Sequence, residues 1–188
     1  MKFRSTTRLF LWLLPLLLLS GSCALRQHFT RGAPYTTVYV ARHAEKDLTP
    51  GLADPALTPA GQQRALALRD AIGKNQWVGA VFTTNTSRTR ATAAPLAEAH
   101  KLPVEVYDAG QLRVLAARIR GRFTGQVVLV VGHSNTILET IEALGASRPV
   151  PTIQGDEYDY LLEVRVPRDS TRTPTAVARR YGARSSGQ

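Results

Sequence analysis

A chain of 188 residues, 44% hydrophobic and 20% charged, has the composition of a soluble globular domain, which excludes collagen-like, low-complexity and multi-span membrane classes. The formal net charge of +10 suggests nucleic-acid binding until it is divided along the chain. Lys2, Arg4 and Arg8 lie in the leader and six arginines face only Asp169 in residues 165–188, so residues 25–164 hold 15 basic against 13 acidic side chains. With no interleaving of basic and aromatic residues, no nucleic-acid partner is expected, and of two readings of the basic C-terminal region, contact with anionic lipid or polyanions and a solvated terminal segment, the second is preferred.

At the N-terminus a positive segment precedes the apolar run Leu9–Leu19, broken at Pro15, and then Ser20-Gly21-Ser22-Cys23-Ala24. This is a secretory signal pattern over residues 1–24. Its 11 residues fall short of the roughly 20 that a spanning helix needs. Cys23, the single cysteine, stands where bacterial lipoproteins are cleaved and acylated. The likeness is imperfect, because Ser20 holds the place usually taken by Leu, and cleavage after Ala24 is the competing processing. The expectation is a chain exported to the bacterial cell envelope and attached to the membrane through acylated Cys23, otherwise periplasmic or secreted. No disulfide is expected.

Residues 25–35 read as a polar linker, 36–182 as one domain and 183–188 as a disordered tail. Thr37–Val40, β-branched and aromatic, make a short buried strand that runs into Arg42-His43. The Pro- and Gly-rich stretch after Lys46 is a loop. Thr58 then caps a helix with Pro59 at its first position and Gly73 as its stop, with Ala65, Leu66, Leu68 and Ile72 as its buried stripe. Val78–Thr83 is a second strand, Thr86–His100 a helix, Lys101–Tyr107 a third strand and 110–120 a helix. Gln126–Val131, a continuous apolar run, has the pattern of a central parallel strand covered on both faces. A helix to Leu144 and two closing strands, Tyr158–Val166 and Thr175–Tyr181, complete the chain. Strands alternating with helices predict an α/β fold, a three-layer α/β/α sandwich on a mostly parallel central sheet.

Ligands of such sheets bind at the carboxyl ends of strands. Three junctions there carry cations or imidazoles: Arg42 with His43, Arg88 with Arg90, and His133. Arginine matches phosphate geometry and histidine offers a nucleophilic nitrogen, so the combination points to phosphoryl chemistry. Here the chain resembles the histidine phosphatase superfamily, the phosphoglycerate-mutase-like fold, in its small phosphatase form. RHAEK stands for that family's Arg-His-Gly and following Glu, LTPAG for Leu-Thr-x-x-Gly, TTNTSRTRATAAPLA for its arginine motif and VGHSNT for its second-histidine motif.

The resemblance implies a phosphatase in which His43 attacks phosphorus while Arg42, Arg88 and His133 bind the phosphoryl oxygens, with Glu45 as a further substrate contact. Arg90 is the reserve for Arg88. Asp108, at the end of the third strand, is the candidate general acid, with Glu45, Asp156 and Glu157 as alternatives. No cofactor and no metal is implied, and the partner is a small phosphorylated substrate or a phosphoprotein. His28 and His100 read as surface residues, and Trp77, Tyr158 and Tyr160 as packing or rim aromatics. Two competing readings remain: an anion-binding surface lipoprotein that has lost turnover, and a serine hydrolase using Ser134, whose Gly132-His133-Ser134-Asn135-Thr136 surroundings partly imitate a nucleophile elbow.

Overall fold

The computed structural model describes residues 33–73 and 75–185. The leader, Cys23, His28 and residues 186–188 lie outside them. In chain order the elements are β1 (Tyr35–Arg42), α1 (Pro59–Ile72), β2 (Val78–Thr83), α2 (Ser87–Ala99), β3 (Val104–Val106), α3 (Leu112–Arg122), β4 (Val127–Gly132), α4 (Ile137–Ala143), β5 (Tyr160–Pro167) and β6 (Thr175–Arg180). They build one six-stranded sheet in the order β3-β2-β4-β1-β5-β6. The first four of these run parallel, while β5 and β6 pair antiparallel and close one edge.

Alternation along the strands divides the core. On one face Val38, Val40, Phe82, Val128 and Val130 pack with Ile119 of α3 and Ile141 of α4. On the other Ala41, Val81, Leu129 and Val131 pack with Leu68 of α1 and Leu96 of α2. β4, fully buried along its length, is the central strand that its apolar run predicts. The result is the expected three-layer α/β/α sandwich.

Tertiary contacts move several boundaries. β1 begins at Tyr35, inside the expected linker, because Tyr35 pairs with Pro167. The third strand shrinks to Val104–Val106, the only stretch of it that finds β2 as a partner. In α1 Leu66 is 37% exposed and Arg64 is buried at 5%, a reversal explained by the partners Arg64 has: Glu45 at 2.6 Å, and the carbonyls of Tyr181 and Ala183. Three of the C-terminal arginines are not part of a solvated segment. Arg180 bonds Asp159 and Glu157, and Arg165 and Arg179 flank the buried Glu163. The expected free tail is corrected for residues 183–185, since Ser185 Oγ accepts from the Tyr158 N–H and donates to Asp159.

The loop after β1 is locked onto the start of α1. Thr58 caps that helix by accepting the Gly61 N–H, while its own N–H donates to the Glu45 carbonyl. A Cβ on Gly61 would stand 2.2 Å from the Glu45 oxygen, so only glycine lets helix and loop approach this closely. Gly61→Ala should therefore lower the unfolding free energy by about 1–3 kcal/mol, the usual cost of overpacking. Gly121→Ala, in α3 with nothing within 4 Å of its Cβ, should instead raise it by about 0.5–1 kcal/mol. Urea midpoints of the two variants check the pair.

Candidate active site

Three neighbouring parallel strands end together. Arg42, the last residue of β1, pairs in register with Gly132, the last of β4, and the His43 N–H donates to the Gly132 carbonyl at 2.9 Å. His43 and His133 thus leave adjacent strand ends side by side, their ring centroids 5.4 Å apart. β2 delivers Thr84, whose Oγ1 lies 2.9 Å from His133 Nε2 and itself donates to Thr89 Oγ1. With its proton committed, Thr84 Oγ1 accepts from His133 Nε2–H.

His43 is 4% exposed. Its Nδ1 lies 2.8 Å from the carbonyl oxygen of Ala44, and a carbonyl can only accept, so the proton sits on Nδ1 and Nε2 carries a free lone pair. Burial, opposed by that hydrogen bond and aided by Arg42, Arg88 and His133, pushes the ring down to about 3. His133 is lowered as well, by burial and then by Arg88, Arg42 and Lys46. Burial first, and then the neighbouring guanidiniums, disfavour the charged form of both rings.

Those cations are held from behind. Arg42 Nη1 donates to the carbonyls of Gln154 and Glu157 at 3.0 and 3.2 Å, and its guanidinium lies 4.1 Å over the Tyr158 ring, an attractive cation–π contact. Arg88, in the first turn of α2, is 3.4 Å from Asp54 Oδ1. Asp54 also takes the Ser87 N–H and Oγ–H, the latter at 2.6 Å, so one carboxylate fixes both the helix start and its arginine. Nε of Arg42 and of Arg88 is buried without a hydrogen-bond partner among the described residues.

Ala44 fits where glycine is usual. Lys101 is the only non-glycine residue with positive φ among those described, so Ala44 carries no left-handed strain. Its N–H donates to Thr92 Oγ1, which donates to the Arg88 carbonyl.

Arg42, His43, Arg88 and His133 come together as expected. Other assignments change. Arg90 is exposed and donates to Asn85 at 2.6 Å, away from this group. Glu45 is not a free substrate contact, because Arg64 grips both of its carboxylate oxygens. Asp108 is exposed and accepts the Gly110 N–H, an Asx turn leading into α3, and none of its bonds is with the four site residues. Glu157 serves Gln154 and Arg180. Asp156 is exposed, and its charge is felt at Arg42. His100 closes α2 as its C-terminal cap, with Nε2 buried, so it is more than a surface residue. Lys46 and Thr84 stand inside the motifs RHAEK and TTNTSRTRATAAPLA without a role of their own there, and Asp54 has no signal in the sequence. Among the described residues no group of three His, Cys, Asp or Glu is arranged to hold a metal.

Residues 38–112, from the core of β1 to the start of α3, match the sequence model of the histidine phosphatase superfamily, branch 1. That stretch, 75 of the chain's 188 residues, is similar to that family. No curated protein sequence matches it. Among solved structures, a mycobacterial glucosyl-3-phosphoglycerate phosphatase aligns over 79% of this chain and 99% of its own at 14% identity, with a TM-score of 0.59. An Agrobacterium tumefaciens protein assigned as a phosphohistidine phosphatase aligns over 80% and 98% at 20% identity and TM-score 0.55. The phosphoserine phosphatase of Entamoeba histolytica aligns over 81% and 98% at 14% identity and the same TM-score. At such identities the likeness is one of fold.

The buried neutral state of His43 has a signed consequence for stability. Its folded value, about 3, lies below the ordinary 6.5, so the unfolded chain takes up a proton that the folded chain refuses. Stability from this group is complete above pH 6.5 and is lost progressively as pH falls towards 3. His43→Gln should flatten that part of the urea midpoint against pH. An His43 ring titrating near 6.5 by NMR would show instead that water reaches it.

Proposed function

We propose that the chain is a phosphatase that hydrolyses phosphomonoesters or phosphoramidates through a covalent phosphohistidine on His43. The observation that carries this reading is the 2.8 Å contact from His43 Nδ1 to the Ala44 carbonyl, which leaves Nε2 unprotonated within reach of the charges of Arg42 and Arg88 and next to the His133 ring. In the first step the Nε2 lone pair forms a bond to phosphorus while the bond to the leaving group breaks in line and takes its electron pair away. In the second, water attacks phosphorus, the phosphorus–nitrogen bond breaks and His43 is restored. Charge grows on the phosphoryl oxygens, where the guanidiniums of Arg42 and Arg88 stabilise it without reorganising, and His133 Nε2–H contributes by exchanging Thr84 Oγ1 for a phosphoryl oxygen. The nucleophile attacks directly, so the reading invokes no metal.

Asp108 is tied into its turn, Glu45 and Glu157 are bonded elsewhere, and Asp156, exposed, is felt at Arg42 only through its charge, so no candidate acid is hydrogen-bonded to His43. The reading therefore favours substrates whose leaving groups depart with little help, aryl oxides or imidazole before alkoxides. The two rival readings fare worse. His133 Nε2 is engaged by Thr84, which gives Ser134 no base from its neighbour, and a pure anion-binding role leaves the tautomer of His43 without a purpose. Small phosphorylated molecules and phosphoproteins both fit as substrates. Export with attachment through Cys23 belongs to the same proposal, resting on the leader; Cys23→Ser should release the expressed chain from membranes.

Kinetics on a small aryl phosphate and a matching alkyl phosphate test the chemistry. The aryl ester should turn over far faster. His43→Ala should abolish turnover, Arg88→Ala should raise KM and cut kcat by about 10²-fold or more, and Arg90→Ala and Ser134→Ala should stay within a few-fold of wild type. Phosphate binding with no turnover of either ester would favour the anion-binding reading, and a larger loss with Arg90→Ala would exclude the assigned arginine.

A further inference from the structure

The sheet has a second functional-looking end, opposite His43. A groove of about 490 Å³ opens there, between the first residues of β1, the last of β5 and the end of α3. Three guanidiniums line it, those of Arg120, Arg168 and Arg172, together with the hydroxyl residues Thr124 and Ser170. None of the three forms an ion pair among the described residues, whereas Arg69 and Arg148 are paired with Asp70 and Glu142. The acid closest in sequence, Asp169, spends its carboxylate on Thr171, although it feels the Arg172 charge. Arg122, at the C-terminal end of α3, adds to the positive field.

Two further features share this end. Trp77, 67% exposed, immediately precedes β2, and its carbonyl accepts the Val127 N–H, two strands from β1 and hence roughly 10 Å from it at the usual strand spacing. A large exposed indole at the same end of the sheet as unpaired arginines is the side-chain chemistry of a membrane interface, where the ring sits among headgroups and the guanidiniums meet phosphates. The domain's chain also enters here: the Pro34 carbonyl accepts the Arg168 N–H at the rim of the groove. Nine residues lie between Cys23 and the first described residue, Ala33, and a stretch of that length reaches at most about 35 Å.

We propose that this end is a docking surface for anionic phospholipid headgroups, which lays the amino ends of β1, β2 and β4 against the membrane and turns the His43 site to the aqueous side. The occupant is a lipid surface rather than free phosphate, because the cations are spread along an open groove, an interfacial tryptophan shares the face and the tether holds this end near the bilayer. The tether argument rests on export and anchorage through Cys23, whereas the groove's own charge does not.

The test uses the full chain carrying Trp12→Phe, so that Trp77 is the only tryptophan. It is placed with vesicles of neutral phosphatidylcholine or with vesicles containing about a third phosphatidylglycerol, each doped with a headgroup-level quencher. Quenching of Trp77 should be roughly threefold or more greater on the anionic vesicles. It should collapse to the neutral level near 1 M salt, where the Debye length shrinks to about 3 Å. Arg120→Gln, Arg168→Gln and Arg172→Gln together should remove the contrast while leaving aryl phosphate hydrolysis unchanged. Should the triple variant fail to fold, the salt titration of the parent chain decides alone. Equal quenching on both lipids overturns the proposal. So does loss of the contrast at millimolar inorganic phosphate under constant ionic strength, which would make the groove a free-phosphate site. Anchorage is read apart from this, by whether Cys23→Ser leaves the membrane fraction, so its failure and that of the groove are distinguishable.

Discussion

The hydrogen bond from His43 Nδ1 to the Ala44 carbonyl depends on the whole carboxyl edge of the sheet and in turn dictates what that edge can do. A histidine surrounded by arginines and another histidine is easily kept neutral, but neutrality alone leaves either nitrogen free. The carbonyl selects the tautomer. It can do so because Ala44 is fixed through its N–H to Thr92, which is bonded to the Arg88 carbonyl. Nucleophile and phosphate-binding arginine are thereby built on one connected set of backbone groups, and a shift of α2 would be felt at His43. Glu45, the next residue, extends the same loop to Arg64 and onward to the carbonyls of Tyr181 and Ala183. The C-terminal segment so braces the loop that carries the nucleophile.

Charge is distributed with the same economy. At the carboxyl edge the cations are buried, backed by carbonyls, an aromatic ring and the single carboxylate of Asp54, an arrangement that preserves positive potential for an incoming dianion. At the edge formed by β5 and β6 arginines are matched to Asp159, Glu157 and Glu163 and act as structure. At the amino end Arg120, Arg168 and Arg172 stand in an open groove and form no ion pair among the described residues. The formal charge of +10 therefore describes three populations with different work to do, which a sum over the chain conceals.

How much of this was legible in the residues depends on the range of the interaction involved. Local signals read well: Thr58, Pro59 and Gly73 bound α1 as their capping chemistry requires, and the apolar run of β4 placed the central strand. Three strand ends bearing His and Arg converged because parallel neighbours put their carboxyl ends on one side. Long-range partners could not be read. Arg64 looks like a solvent residue until Glu45, 19 positions earlier in the chain, is folded against it, and Leu66 looks buried until Arg64 takes that face. Asp108 stands at the correct end of β3 by sequence, yet its carboxylate turns back onto its own loop. The acceptor for His43 is a main-chain carbonyl, which no side-chain pattern can announce.

The account stands on His43 Nε2 becoming covalently phosphorylated, and the measurement closest to that claim is rapid quenching during turnover of a slow, phosphorus-labelled aryl ester. Quenched at neutral or alkaline pH, label should appear on a peptide containing His43, vanish on acid treatment as a phosphorus–nitrogen bond does, and be missing from His43→Ala. Acid-stable label on Ser134, or full turnover by His43→Ala with no label, would contradict it.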